Sequence, residues 1–377
     1  MRKLIIMAAI SLLLLTACGQ NRTGSPEDVG PEAFFSANLQ RTGMYDSTAV
    51  SNPTGSDWQF QAGEWVFTTP VRVEDVVYFG SYDGNLYAVN AATGAELWRF
   101  NTGNPIISSP AVSGELVYVG SMTGNLHAID KATGEERWLF GAQGSITASP
   151  AVSDGMVYVG SEDGNLYAIN LNNGQEAWHV EAESSISFEA ALADGMVYFG
   201  DAAGNLTAVH AINGETAWQI NLVKGSTTTG PVVQNGAVYI LATGSNLVST
   251  LYAIDIETQQ PRWKYQLAME SYASPAVRDD LVYVVDLNGL LTAVEVNTGQ
   301  PRWEFASQST AFSAPAIAGN LLYFGSWDNN LYAIDAVRGI EKWRFVTGGG
   351  VSSPAVYNGV VYVGADDGKL YAISDDK

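Results

Sequence analysis

Tryptophans recur along this chain as Trp58, Trp98, Trp138, Trp178, Trp218, Trp263, Trp303 and Trp343, every 40 residues except for one interval of 45. A fixed period of this length marks a repeat architecture, in which one small supersecondary unit cannot bury its apolar face alone and must stack on its neighbours. Two residues after each tryptophan stands Phe60, Phe100, Phe140, Val180, Ile220, Tyr265, Phe305 or Phe345. About twenty residues beyond each comes a Val-Tyr or Leu-Tyr pair, ending in Tyr78, Tyr118, Tyr158, Tyr198, Tyr239, Tyr283, Tyr323 or Tyr362. The unit is therefore present eight times.

The unit at 141–180 reads as four short strands. Ser149 to Val152 form the first, Met156 to Ser161 the second, Leu166 to Asn170 the third and Glu176 to Val180 the fourth. Asp154-Gly155, Asp163-Gly164-Asn165 and Asn173-Gly174 separate them, and such pairs supply the positive φ that tight hairpins demand. The strands are β-branched or aromatic with a period of two, and no helical pattern follows residue 20. Four-stranded antiparallel units of this length predict an all-β, eight-bladed β-propeller over residues 53–374. The last unit, 346–374, stops before its tryptophan segment, while Ser56-Asp57-Trp58-Gln59-Phe60 is such a segment with no strands before it. Pairing the two closes the ring and hides a sheet edge.

The chain carries 39 Asp+Glu against 18 Lys+Arg, a net charge of −21. That balance excludes nucleic acid, which needs a basic footprint. A single cysteine excludes a disulfide framework and a multi-cysteine zinc site. Residues 1–17 read as a signal peptide: Arg2 and Lys3 precede an apolar stretch from Leu4 to Leu15, too short to span a bilayer. Leu15-Thr16-Ala17-Cys18 resembles a bacterial lipobox, which makes Cys18 the expected lipidation site and acyl chains the expected membrane link. Gly19 is not the aspartate that signals inner-membrane retention in enteric bacteria, so outer-membrane delivery stays open. Residues 18–52 read as tether and lead-in, with 19–33 flexible.

The units resemble the PQQ-type propeller repeat, with Ser-Pro-Ala-Val, Val-Tyr-Val-Gly-Ser, Asp-Gly-Asn-Leu-Tyr-Ala-Ile and Trp-x-Phe nearly intact at Ser109–Phe140 and Ser149–Val180. Asn38-Leu39-Gln40-Arg41-Thr42-Gly43 resembles the lead-in before many stand-alone propellers of this type. The resemblance covers residues 54–374 and implies the fold; it leaves two functions open. One branch of the family is non-catalytic envelope lipoproteins, including a scaffold for outer-membrane β-barrel assembly. The other is dehydrogenases that bind pyrroloquinoline quinone and calcium on the axis. The first implies a monomeric protein-interaction scaffold on the periplasmic side of the outer membrane, with no cofactor and no catalytic residue. The second implies an enzyme or ligand sensor, but the chain lacks the vicinal disulfide and long insertions of many such enzymes.

The eight repeat tryptophans, Trp58 through Trp343, read as structural, since a large ring at one slot per blade implies packing between blades. Departures from the repeat are more telling. Three residues before the proline of each first strand, most blades carry Ile107, Thr147, Ser187, Thr228 or Val351, but others carry Phe67, Tyr272 and Phe312. Phe188 lies one slot further along in blade four. These four rings either form a partner-binding patch at the channel mouth or plug the channel locally. Tyr82, Met122 and Trp327 occupy exposed hairpin tips, where an aromatic ring suits a partner. The longer hairpin at 243–250 is a further recognition candidate. Glu189, alone among the first-strand slots in being acidic, reads as a solvated rim carboxylate, with a calcium ligand as the alternative. His127, His179 and His210 sit in repeat slots without metal-ligand spacing.

Overall fold

The computed structural model describes residues 36–375. The expected signal peptide, Cys18 and the first part of the tether lie outside the described residues. The eight-unit reading holds: eight antiparallel sheets form the ring of a β-propeller. The unit read at 141–180 consists of Ala151–Ser153, Met156–Gly160, Asn165–Asn170 and Glu176–Glu181, paired in that order. Asp154 and Gly155 take φ of 50° and 77°, the left-handed pair that a two-residue hairpin requires. In blade five the insertion lengthens the middle hairpin, Ala237–Thr243 with Ser249–Asp255.

The repeat tryptophans fasten one blade to the next. Trp98 Nε1 donates to Lys131 O at 3.0 Å and Trp138 Nε1 to Leu171 O at 2.9 Å, 33 residues ahead in both cases. The same step recurs from Trp178 to Ala211 O at 3.2 Å, from Trp263 to Val296 O at 2.6 Å and from Trp303 to Ala336 O at 3.2 Å. Trp218, which precedes the insertion, packs on Tyr198 with centroids 5.9 Å apart and joins the apolar seam between blades four and five. Where the bond forms, the indole lies against the turn between the third and fourth strands of the next blade. A Cβ on Gly134 would come within 2.8 Å of the Trp98 ring, so glycine is required there for close approach as well as for its φ of 74°. Apolar clusters fill the seams between blades; one joins Val77, Phe79 and Tyr87 of blade one to Tyr362, Leu370 and Ala372 of blade eight.

The N-terminal segment closes the ring as predicted. Trp58–Gln61 is the outermost strand of blade eight, with Trp58 opposite Ala372 and Phe60 opposite Leu370. Val50 adds a second closure. Its carbonyl accepts Trp343 Nε1 at 2.8 Å and the Tyr323 hydroxyl at 3.2 Å, standing where the other blades use a residue just after the third strand.

The lead-in is tightly bound. Its backbone carbonyls accept the innermost strands of four successive blades: Leu39 O from Leu192 N, Gln40 O from Val233 N, Thr42 O from Val277 N and Gly43 O from Ile317 N, at 2.7 to 3.0 Å. We call this face the back; it carries the turns between first and second strands, including Asp194 and Asn235 beside Gln40 and Thr42. The front carries the middle hairpins and the connections into each first strand.

Candidate functional site

One residue before the proline of each first strand, eight positions face the axis: Thr69, Ser109, Ser149, Glu189, Gly230, Ser274, Ala314 and Ser353. Hydroxyls at these positions tie neighbouring blades together. Ser109 Oγ accepts Thr69 N at 2.9 Å, Ser149 Oγ accepts Ser109 N at 3.1 Å and Ser353 Oγ accepts Ala314 N at 2.9 Å. Blade four breaks the pattern with Glu189 and with Ala190 in the proline slot.

Glu189 is not a solvated rim carboxylate. It is 5% exposed, and its Oε1 accepts the Ser274 hydroxyl at 2.5 Å, reaching across blade five. Gly230 makes that reach possible, because a Cβ there would stand 2.3 Å from Oε1. Behind it lies Arg41 of the lead-in, fully buried. Its Nε donates to Ala190 O at 3.1 Å and its Nη2 to Pro150 O at 3.2 Å. Burial pulls the Arg41 guanidinium down to about 10, and the Glu189 carboxylate opposes that shift. The Ser274 hydroxyl is the hydrogen-bond donor that serves this buried side chain.

In front of this ring is an axial cavity of about 360 Å³. Phe67, Phe188, Tyr272 and Phe312 all line it, so the four aromatic slots are brought together at one mouth. Glu162 lines it at the rim and Glu189 at the base. The Tyr272 hydroxyl donates to Glu270 at 2.9 Å, which together with partial burial raises its phenol above the usual range.

The hairpin tips join the same feature. Trp327 packs on Phe312 with centroids 5.1 Å apart and stacks on Phe67 at 6.2 Å. Tyr82 contacts Phe67 at 5.6 Å. Trp65, absent from the sequence-based candidates, contacts both Phe67 and Tyr82 at 5.4 and 5.6 Å. Blade eight lies between Trp327 and Phe67, and its Gly350 lets the indole pass over, since a Cβ there would come within 3.0 Å of that ring. Trp65 is 45% exposed and Trp327 41%. The result is a continuous aromatic strip from blade seven to blade one, running into the cavity. Trp65 was findable by the slot comparison that singled out Phe67, for its slot in blades two, three and four holds Pro105, Ser145 and Ser185.

Other candidates are accounted for locally. Met122 is an exposed tip of blade two, and Leu247 is exposed at the tip of the longer hairpin of blade five. His127 Nδ1 pairs with Glu136 and His179 Nδ1 with Glu176, both at 2.7 Å, while His210 is exposed. Among the described residues no three His, Cys, Asp or Glu side chains cluster to hold a metal ion. Glu189, the axial carboxylate, already accepts the Ser274 hydroxyl. These residues do not fit a calcium–quinone group, which needs several free oxygen donors.

One buried acid is poorly served. Asp286 replaces the serine found at Ser81, Ser161 and Ser326, and its Oδ1 accepts Asn288 N and Leu290 N at 2.9 and 3.1 Å. Its buried Oδ2 has no partner. In blade four the equivalent Asp201 is completed by Asn205 Nδ2 at 2.9 Å, a donor that Leu290 lacks. Burial accordingly raises the Asp286 carboxyl above the usual range. A folded-state pKa above the unfolded one means that stability falls as pH rises from about 4. Leu290→Asn is expected to stabilise the protein by about 1 kcal/mol at pH 7 and by less at pH 4, where more of the acid is protonated. Urea unfolding at the two pH values checks this; an equal gain at both would refute it.

Comparison with known proteins bears on this geometry. No curated protein matches the chain. Among solved structures, BamB from Moraxella catarrhalis is 19% identical with a TM-score of 0.72, covering 85% of this chain and 99% of that one. A computationally designed protein, Ika8, is 20% identical with a TM-score of 0.75, covering 86% and 99%. A europium-containing methanol dehydrogenase is 13% identical with a TM-score of 0.79, covering 91% and 97%. At these identities the likeness is one of fold. The family model described as outer membrane protein assembly factor BamB matches residues 41–105, 82–286 and 248–376. With the repeat, the closed ring and this match in hand, the chain belongs to the BamB family of PQQ-like propellers.

Proposed function

We propose that this protein is a non-catalytic scaffold of the cell envelope, anchored through lipid on Cys18, that docks another envelope protein on its front face during outer-membrane β-barrel assembly. The observation that carries this reading is the aromatic strip of Trp65, Phe67, Tyr82, Phe312 and Trp327, all exposed except the half-buried Phe67. Clustered, partly exposed aromatic rings are the composition of binding hot spots. Family membership supports the class of partner, an assembly-machine subunit or a barrel precursor. The dehydrogenase reading has fold likeness behind it, but the axial donors argue against it.

Crosslinking in cells and detergent pull-down of the full chain, with partners identified by mass spectrometry, test the proposal. Trp327→Ala and Tyr82→Ala are each expected to reduce capture of an envelope assembly protein at least about tenfold, the scale of a hot-spot residue. Capture unchanged by both substitutions would remove the front face from consideration. Quinone- and calcium-dependent dye reduction by the purified chain would overturn the non-catalytic assignment.

A further inference from the structure

The axial cavity, into which the strip runs, has a chemistry of its own. Its walls are aromatic where most blades place a small or aliphatic residue: Phe67 from blade one, Phe188 from blade four, Tyr272 from blade six and Phe312 from blade seven. Blades one and four stand far apart round the ring, so the rings approach the cavity from different sides. Trp327 lies outside the cavity and packs on both Phe67 and Phe312. That contact fixes two of the walls.

Every charged group lining the cavity is acidic: Glu162 at the rim and the buried Glu189 at the base. Glu270 adds a third carboxylate against Tyr272. No Lys or Arg is among the lining residues, and Arg41 is turned to the carbonyls of blades three and four. Aromatic faces carry negative potential and attract a cation placed over them, most strongly when both are shielded from water. Carboxylates at the entrance and base add to that field. An anionic ligand would meet repulsion from Glu162 and Glu189, while for a small inorganic cation the hydroxyls of Ser109, Ser149 and Ser353 are already engaged with neighbouring backbone N–H groups.

We propose that the axial cavity binds an organic cation, a quaternary ammonium or guanidinium group with apolar substituents, held between the four rings above Glu189. The group can belong to a free small molecule or to the side chain of a basic peptide. This site shares Phe67 and Phe312 with the exposed strip, while Phe188, Tyr272 and Glu189 belong to the cavity alone, so ligand binding and partner capture are read separately.

The test is calorimetric titration of the full chain in detergent with three probes: benzyltrimethylammonium, its neutral isostere neopentylbenzene, and N-acetyl-arginine amide. At least one cation is expected to bind about tenfold or more tightly than the neutral isostere, in line with a desolvated cation–π contact. The preferred cation identifies the source, small molecule or peptide. Phe188→Ala and Phe312→Thr place in these slots the residues that blades three and six carry at Ala148, Ala273 and Thr147, so the ring is expected to fold unchanged, as its thermal melt reports. Each is expected to weaken cation binding about fivefold or more. Equal binding of cation and isostere, no binding of either cation, or full affinity in both folded variants would overturn the proposal. Partner capture, measured separately with Tyr82→Ala, fails or succeeds independently of this result.

Discussion

Replacing Arg41 with alanine is expected to cost about 2–4 kcal/mol of folding free energy, the scale for leaving two buried carbonyls without their donors. The guanidinium is fully buried and donates to Ala190 O and Pro150 O. Its loss strips donors from those carbonyls and leaves Glu189 buried beside a cavity with no opposing charge. Arg41→Lys is expected to recover only part, because an ammonium cannot reproduce the planar fork that reaches two blades. The decisive comparison is the double variant Arg41→Met with Glu189→Ser. Serine is the residue that blades two, three, six and eight hold in that slot as Ser109, Ser149, Ser274 and Ser353, so removing both charges is expected to restore part of the stability. Equilibrium urea unfolding of the four proteins measures this. A cost for Arg41→Ala under about 1 kcal/mol, or a double variant no better than the single, would refute this account of Arg41.

Removal of the closing strand is expected to have a larger effect still. A chain beginning after Gln61 loses the four-residue pairing with Lys369–Ala372. It loses the Trp58 Nε1 bond to Ala91 O at 2.9 Å and the contacts of Phe60 with Phe79 and Tyr87 at 5.7 and 5.2 Å. The same truncation takes away Val50, Arg41 and the whole lead-in. Blade eight is then left three-stranded with an open apolar edge, a template for aggregation. The expected outcome is loss of a single cooperative melt, with light scattering on heating. Restoring residues 56–61 after Asp375 through a short turn tests the cause, since Asp375 Oδ1 already accepts Ser51 N and Asn52 N at 2.7 and 2.6 Å. If the permuted chain stays as aggregation-prone as the truncated one, the missing lead-in and not the missing strand is responsible.

The blade count and the closure were legible because both are periodic. A tryptophan that must sit on the glycine turn of the next blade has to recur at one slot, and an orphan Trp58 segment has only one place to go. The aromatic slots Phe67, Tyr272 and Phe312 were legible as breaks in that period, and the structure brings them to one mouth together with Phe188. Arg41 was not legible as an axial group, for it lies outside the repeat and no sibling slot compares with it. Glu189 looked solitary for the same reason: its hydrogen-bond partner, Ser274, stands two blades on, and Arg41 lies in the lead-in. Val50 acts through its carbonyl, which no side-chain pattern reports. Gly230 and Ala190 were the visible signs, a missing hydroxyl and a missing proline beside an unusual acid.

The binding of the lead-in has a mechanical consequence. Its carbonyls are gripped in turn by Leu192, Val233, Val277 and Ile317, one from each of four successive blades. Tension arriving along the chain upstream of Ser36 would therefore be shared among four sheets at the rear of the disc before it could pull on any one of them. Bonds loaded together in this way resist far better than a single contact peeled open at its end. The front, where the rings gather, would be left out of that line of force.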